Sequence, residues 1–175
     1  MTVDRGATDM LICARTFREL DLDSLMEVYL EGNRDNGEDL YPDESPERQM
    51  KLAKRDFESY LRESFYVQDR ACYWIWSEEG EYRSALRLEP YQDGLLLEAL
   101  ETHPEHRRKG YAKKLICAVL EQFPVGTRIY SHISKGNTPS LASHLACGFR
   151  RLLDYSVDAD GERYDNQVTM TVTVS

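Results

Sequence analysis

The residues with the clearest chemical potential are Arg107-Arg108-Lys109-Gly110-Tyr111-Ala112, which follow the apolar run Leu95-Leu96-Leu97-Glu98-Ala99-Leu100. A helix opening at Gly110 would present free backbone N–H groups and the positive end of its dipole, and so could hold a phosphate or pyrophosphate. Gly110 and Ala112 lack bulk and let the backbone come close to such a ligand. Arg107, Arg108, Lys109, Lys113 and Lys114 concentrate positive charge at the same point of a chain whose net charge is −9. A triphosphate P-loop does not fit, because no Gly-Lys is followed by Ser or Thr after a longer Gly-rich loop. A dinucleotide fingerprint needs three glycines where one stands. Taken alone, the hexapeptide is equally well read as a solvated basic turn.

The elements that must hold this loop follow from periodicity. Leu95–Leu100 predicts a strand that Pro104 ends. Ala112, Leu115, Ile116, Val119, Leu120 and Phe123 recur at helical spacing until Pro124. Upstream, the pattern predicts a strand over 11–17 and a helix over 21–31 capped by Asp21. It then predicts a loop over 32–46 rich in Asn, Gly, Asp and Pro. Ser45 caps a second helix with Pro46 at its first position, running to about Phe65, with Met50, Ala53, Phe57 and Leu61 as its apolar stripe. Strands over 71–76 and 82–89 pair as a hairpin around Glu79-Gly80, and 91–94 turns into the strand before the basic loop. A strand over 127–134 and a long final hairpin, 149–158 with 164–174, complete the chain. The βαβ unit from Leu95 to Ile129 requires a right-handed crossover. With no linker and no internal repeat, residues 1–175 read as one domain of mixed α/β class.

These residues resemble the GNAT superfamily of N-acyltransferases. The order strand, Pro, Arg-x-x-Gly-x-Ala and amphipathic helix resembles that superfamily's acyl-CoA signature. A second piece follows: Asn137-Thr138-Pro139-Ser140-Leu141-Ala142-Ser143-His144-Leu145-Ala146-Cys147-Gly148-Phe149 is similar to the family's short helix that opens with Asn and closes with Gly-Phe. The resemblance covers about the last half of the chain and is thinner before Cys72. It implies a central mixed, mostly antiparallel sheet flanked by helices, with a splayed parallel pair of strands that receives the pantetheine arm of acetyl-CoA. Backbone around Leu100, Glu101 and Thr102 would pair with that arm. Residues Arg107, Arg108, Lys109, Gly110, Tyr111 and Ala112 would bind the pyrophosphate. Asn137 and Ser140 would border the pantetheine, with Thr138 as the expected helix cap.

The implied reaction, acetyl transfer to a primary amine, needs a base for the ammonium proton and a proton for the departing thiolate. Glu98 and Glu101 are the carboxylates of the strand facing the cleft, and strict alternation would point them to opposite faces unless a bulge intervenes. Glu98, mid-strand among leucines, is the preferred base; its structural alternative is an ion pair with Arg87 or Arg83. Many family members place Tyr four residues before the helix-closing Gly; here that residue is His144. An imidazole could donate to sulfur, with its pKa raised by a nearby carboxylate, or simply pack. Tyr111 and Tyr155 are the substitutes considered.

Glu31, Asp35, Glu38, Asp39, Asp43, Glu44 and Glu47, offset only by Arg34, suggest an acidic wall that would attract a cationic acceptor such as a polyamine, an aminoglycoside or a lysine side chain. A solvated surface loop is the alternative. The acidic balance argues against nucleic-acid and anionic-membrane binding. No apolar run reaches membrane-spanning length, and no secretory leader opens the chain. Cys13, Cys72, Cys117 and Cys147 lack metal spacing, so no metal is expected and they read as reduced thiols of a cytoplasmic protein. A C-terminal edge strand would support a homodimer. The expectation is an acetyl-CoA-dependent N-acetyltransferase. The competing readings are a catalytically silent acyl-CoA-binding sensor or scaffold, and an interaction module using the basic loop.

Overall fold

The computed structural model describes residues 9–175. Strand β1 (Met10–Ala14) is followed by helices α1 (Leu22–Val28), α2 (Leu30–Leu40) and α3 (Pro46–Tyr60). Strands β2 (Cys72–Glu78), β3 (Glu81–Tyr91) and β4 (Gly94–Thr102) lead to α4 (Tyr111–Leu120). Then come β5 (Arg128–Ser134), α5 (Thr138–Ala146), β6 (Arg150–Leu153), β7 (Ser156–Val157), β8 (Arg163–Tyr164) and β9 (Gln167–Thr173). Seven strands form one sheet in the order β1-β2-β3-β4-β5-β9-β6, and β7 pairs with β8 apart from it. Every pair in the large sheet is antiparallel except β4 with β5.

Alternation along the strands divides the core. Trp74, Leu86, Leu88, Leu95, Leu97, Ile129 and Ile133 face Leu115, Ile116 and Val119 of α4. Tyr73, Ile75 and Ala85 face the other way, against Leu25 and Val28 of α1 and Leu61 and Phe65 beyond α3. The α4 side carries the anion-loop helix, and the α1–α3 side closes over the opposite face of β3 and β4.

Two local features of β4 shape the centre of the molecule. First, β4 pairs with β5 only over Leu95–Leu97 against Ile129–Ser131. The strands meet tightly at Gly94, where a Cβ would stand 2.0 Å from the Arg128 carbonyl. Past Leu97 they diverge and leave one edge of β4 without a strand partner. Second, β4 bulges at Ala99, which adopts φ +50. Across β3, Arg87 stands opposite Glu98 but Ala85 stands opposite Glu101, so three steps on β4 match two on β3. The extra residue brings Glu98 and Glu101 to the same face. The alternation expected from sequence, with the two carboxylates on opposite faces, is corrected by this bulge.

Other boundaries move for physical reasons. Of the residues expected as a loop over 32–46, 32–40 belong to α2 despite Gly32, Asn33, Asn36 and Gly37, all poor helix formers, and 41–45 remain the turn into α3. Packing overrides propensity: Gly37 lies so close to Gln49 of α3 that a Cβ would sit 3.1 Å from it. Gln49 Nε2 also donates to the Tyr41 carbonyl at 3.0 Å. The caps Asp21 and Ser45 stand as expected, accepting from Ser24 N and Arg48 N. Of the expected apolar stripe, Ala53 and Leu61 are buried and Phe57 packs against the core, while Gln49 and Leu52 are buried where Met50 was expected. The first strand ends at Ala14, short of Phe17. The final hairpin is broken, with β6 pairing to β9 and β7 to β8. As a result the C-terminal strand β9 lies inside the sheet and β6 is the edge, contrary to the expected C-terminal edge. Cys117 and Cys147, remote in sequence, bring their sulfurs to 2.7 Å as free thiols between α4 and the end of α5.

Candidate active site

Gly110 opens α4 in the left-handed region, φ +83, with no atom within 4 Å of where a Cβ would be. The first helical hydrogen bond runs from Lys114 N to the Gly110 carbonyl at 3.0 Å, so the amides of Tyr111, Ala112 and Lys113 point out of the helix end. They open into a cleft of about 490 Å³ bordered by Leu100, Glu101 and Thr102 of β4, by Arg107, Arg108, Gly110, Tyr111, Ala112 and Lys113, and by Asn137, Pro139, Ser140 and Ser143 across from them. An anionic ligand with an extended polar arm fits this cleft: free amides at one end, an unpaired strand edge along the side. Among the sequence-predicted cofactor residues, Lys109 is the one whose position does not border it. Its Nζ donates to the Glu105 carbonyl at 3.3 Å. Lys114 is likewise turned away, toward Asp9 and Glu78. Arg107 stands at the cleft but is tethered to Glu31 at 2.7 Å, with Glu101 at 3.8 Å.

Asn137 caps α5, its Oδ1 accepting from Ser140 N at 3.2 Å; the cap is this residue and not Thr138. The cap sets the start of α5 at the open end of the β4–β5 gap. A smaller cavity of about 190 Å³ lies in that gap and is lined by Glu98, Ala99, Leu100, His132, Asn137, Ser140 and His144, among others. A third cavity, about 410 Å³, lies on the α1–α3 face between Tyr29, Phe57, Tyr60, Tyr73, Arg87 and one side of α2. Ala99 borders both, so the bulge is where the gap opens onto the opposite face. The Tyr29 hydroxyl donates to the Ala99 carbonyl at 2.6 Å and fixes it. A further cavity, about 610 Å³ near Leu120, Cys147 and Thr171, borders none of the predicted site residues.

Glu98 takes the structural partner foreseen for it: Arg87 Nη2 lies 3.0 Å from its Oε2. Burial raises the Glu101 carboxyl above its ordinary value, with Arg107 drawing it down and Glu31 pushing it up. His144 is 1% exposed. Its Nδ1 lies 2.8 Å from the Ser140 carbonyl and must be the protonated nitrogen, which leaves Nε2 as a buried lone pair with no partner among the described residues. Burial lowers its pKa below the ordinary imidazole value, opposed by the bond to Ser140. This reverses the direction expected from sequence, where a neighbouring carboxylate was to raise it. Tyr111 is held by donation to Glu78 at 2.6 Å, which together with Lys114 keeps that carboxyl down at about 2. The Tyr155 ring packs under Arg163 at 3.8 Å.

A depressed histidine has a definite consequence for stability. The unfolded chain binds the His144 proton below about pH 6.5, whereas the fold resists it to lower pH. The stability this group contributes is therefore complete above about pH 6.5 and is lost as pH falls through its folded value. We expect the melting temperature to drop between pH 7.5 and 5, and His144→Phe to flatten part of that drop. An unchanged slope in a thermal-denaturation pH series would show that His144 titrates as an ordinary exposed imidazole.

Two residues that border these cavities, His132 and Tyr73, were not singled out by the sequence. His132 sits on β5 beside the gap, its pKa lowered by burial and raised by Glu98 and Asp158. Its signal was a lone histidine in a largely buried strand, between Ser131 and Ile133. Tyr73 stands across from Arg87, and its signal was position in the β2 alternation.

The acidic residues of α2 do not line the 410 Å³ cavity. The helix presents Gly32, Asn33, Asn36 and Leu40 to it, and Glu31, Asp35, Glu38 and Asp39 lie on its other sides.

The Acetyltransferase (GNAT) family model matches residues 34–149, from within α2 to Phe149, and so takes in every residue that lines the 490 Å³ and 190 Å³ cavities. The chain belongs to the GNAT acetyltransferase family. Its fold is that of solved acetyltransferases. The ribosomal-protein-S18-alanine N-acetyltransferase of Escherichia coli is 14% identical, with 95% of each chain covered and a TM-score of 0.59. The PaiA N-acetyltransferase of Thermoplasma acidophilum, solved with coenzyme A, is 14% identical over 94% of this chain and 99% of that one, TM-score 0.58. The spermidine N-acetyltransferase of Vibrio cholerae, solved with CoA and spermine, is 18% identical over 94% and 95%, TM-score 0.58. No curated protein matches this chain. The GNAT protein described here is thus an acetyltransferase with a mostly antiparallel sheet and one parallel pair. Among the described residues, no helix is long and apolar enough to cross a membrane and no His, Cys, Asp and Glu side chains converge as a metal-ligand set.

Proposed function

We propose that this acetyltransferase moves an acetyl group from acetyl-CoA directly to a primary amine. The observation that carries this reading is the β4–β5 gap, which connects the anion-binding helix end on one side with a second cavity at Ala99 on the other. The amides of Tyr111 and Ala112, with Arg108, hold the pyrophosphate. The free edge of β4 at Leu100–Thr102 pairs with the pantetheine, beside Asn137 and Ser140. Bound acetyl-CoA supplies the acetyl group as a thioester. Glu98 receives the ammonium proton, directly or through water, and Glu101 on the same face is the second acceptor. A neutral His144 offers only an acceptor at Nε2 near neutral pH, which suits holding a donor of the pantetheine arm. Donation to the leaving sulfur would require its imidazolium, favoured only in acid. The carboxylates on the outer sides of α2 attract an approaching ammonium from solution.

The test is thiol release from acetyl-CoA in the presence of an amine panel that includes amino acids, polyamines, an aminoglycoside and a lysine peptide. Expected is amine-dependent release together with an acetylated product by mass spectrometry. Binding of acetyl-CoA without release to any amine would favour the silent acyl-CoA-binding module.

A further inference from the structure

A row of polar side chains crosses the sheet beneath the α1–α3 layer. Tyr73 of β2 stands opposite Arg87 of β3, and Arg87 stands opposite Glu98 of β4. The row leads from the interior of the 410 Å³ cavity to the edge of the β4–β5 gap. Each member has unused bonding capacity. Arg87, its side chain only 20% exposed, donates through Nε at 3.3 Å and Nη2 at 3.0 Å, both to the single oxygen Oε2 of Glu98. Among the described residues neither Arg87 Nη1 nor Glu98 Oε1 makes a hydrogen bond, and Glu89, two positions along β3 from Arg87, is the other carboxylate beside the pair. The Tyr73 hydroxyl lies in a residue that is 0% exposed and makes no hydrogen bond of normal geometry, with Arg87 and Tyr29 as its polar neighbours. A fully buried hydroxyl is nearly always paired, so this one, beside two partly exposed charged groups with free positions at a cavity, points to a ligand that completes them.

The unmatched groups specify that ligand. Arg87 Nη1 and the Tyr73 hydroxyl offer donors where a carboxylate would be bound strongly. Glu98 Oε1, one strand nearer the gap, offers an acceptor for an ammonium. Neighbouring strands lie about 4.8 Å apart, so a carboxylate and an ammonium separated by one or two carbons would span the step. Tyr29, Phe57 and Tyr60 give the remaining space an apolar wall, with Asn33, Asn36 and Asp56 on its α2–α3 side, and Asp56 is already held by Arg55 and the Tyr41 hydroxyl. A polyamine would instead bring further cationic charge beside a desolvated guanidinium, which is costly. A peptide N-terminus would put a neutral amide where the guanidinium seeks an anion.

We infer that the acceptor is a free amino acid with an apolar or aromatic side chain, its carboxylate on Arg87 Nη1 and the Tyr73 hydroxyl, its amine at Glu98. This rests on the acetyl-transfer reading above. In the transfer, the nitrogen forms a bond to the acetyl carbon while the carbon–sulfur bond breaks, its electron pair leaving with sulfur. The ammonium gives up two protons, one taken by Glu98 and passed to solvent, the other ending on the thiol. Arg87 and Tyr73 determine specificity by holding the carboxylate.

The experiment compares each free amino acid with its own amide on the parent protein, which needs no variant to fold. Phenylalanine, leucine and methionine are run against their carboxamides, with spermidine and a lysine peptide alongside, by thiol release. Expected is a kcat/KM at least about tenfold higher for the acids, expressed mainly in KM, as for loss of one charge-assisted hydrogen bond. Arg87→Met should bring the acid-to-amide ratio close to one, and Arg87→Lys should restore part of it; the ratio is read within each variant, so a general loss of activity does not affect it. Equal rates for acids and amides, preference for spermidine or the peptide, or no turnover of any amino acid would each overturn the inference. Turnover of spermidine or the peptide would leave the acetyltransferase reading standing. Absence of any turnover would count against both, and acetyl-CoA binding, measured separately by thermal shift, would then report whether the cofactor cleft is correctly assigned.

Discussion

Gly110→Glu is expected to abolish the rise in melting temperature that acetyl-CoA gives the parent. A ligand bound only by the folded state at a hundred times its Kd stabilises by about 2.7 kcal/mol, which makes the parent shift easy to read. The substitution does not act by crowding, because no atom lies within 4 Å of the new Cβ. It acts through charge. The new carboxylate would sit at the mouth of α4, where it can take the free amides of Tyr111 and Ala112 for itself and repel the pyrophosphate. The left-handed φ of +83 adds a folding cost of about 1 kcal/mol for any L side chain. Gly110→Ala separates the two effects, since it carries the backbone cost without the charge. It should lower the melting temperature slightly and keep the acetyl-CoA shift. If Gly110→Glu binds like the parent, the anion is held elsewhere.

Much of the candidate cofactor cleft was legible in the sequence because it is encoded locally. A strand, a Pro, a basic turn and a left-handed Gly at a helix start are contiguous in sequence, and the Asn137 helix is a single short segment. The acceptor side was not legible, for reasons of tertiary origin. Residues 32–40 carry Gly and Asn that favour a loop, and only packing of Gly37 on Gln49 makes them α2. That change also rotates the carboxylates away from the cavity they were expected to line. The bulge at Ala99 has no sequence signature, because Ala at φ +50 is an unusual occupant of the left-handed region. Without it, Glu98 and Glu101 could not share a face. The direction of the His144 shift was also out of reach. It depends on burial against Phe149 and on a bond to the helix carbonyl of Ser140, neither visible in the helix pattern.

The Arg87–Glu98 pair illustrates how one contact admits a structural and a chemical account. A buried pair is weak support for stability, because desolvating two charges offsets most of their attraction. This pair is lopsided, with both guanidinium contacts on one carboxylate oxygen and the other oxygen left open. A purely structural pair would gain more by engaging both oxygens in parallel, as arginine and carboxylate commonly do. The open oxygen lies on a residue that borders the β4–β5 gap, where the proposed transfer would bring an amine to the thioester.

Glu98→Gln should therefore lower kcat by about 10²-fold or more, the range for losing a general base, while leaving the acetyl-CoA thermal shift nearly unchanged. The amide keeps the shape of the side chain but cannot take the ammonium proton, and it leaves Arg87 without a counter-charge. Some loss of melting temperature is expected, and rates are to be compared at a temperature where both proteins are folded. Glu101→Gln should do less. Its side chain is 48% exposed and stands 3.8 Å from Arg107, on the cofactor side of the bulge. Because the bulge gives both carboxylates the same face, the comparison tests position along β4 rather than orientation. The pH profile supplies an independent reading. A carboxylate base works only when ionised, so the rate falls on the acid side as it becomes protonated. Burial raises the Glu101 carboxyl. An acid limb above the ordinary glutamate range that disappears in Glu101→Gln, with a smaller effect of Glu98→Gln, would transfer the base role to Glu101 and leave Glu98 as the partner of Arg87.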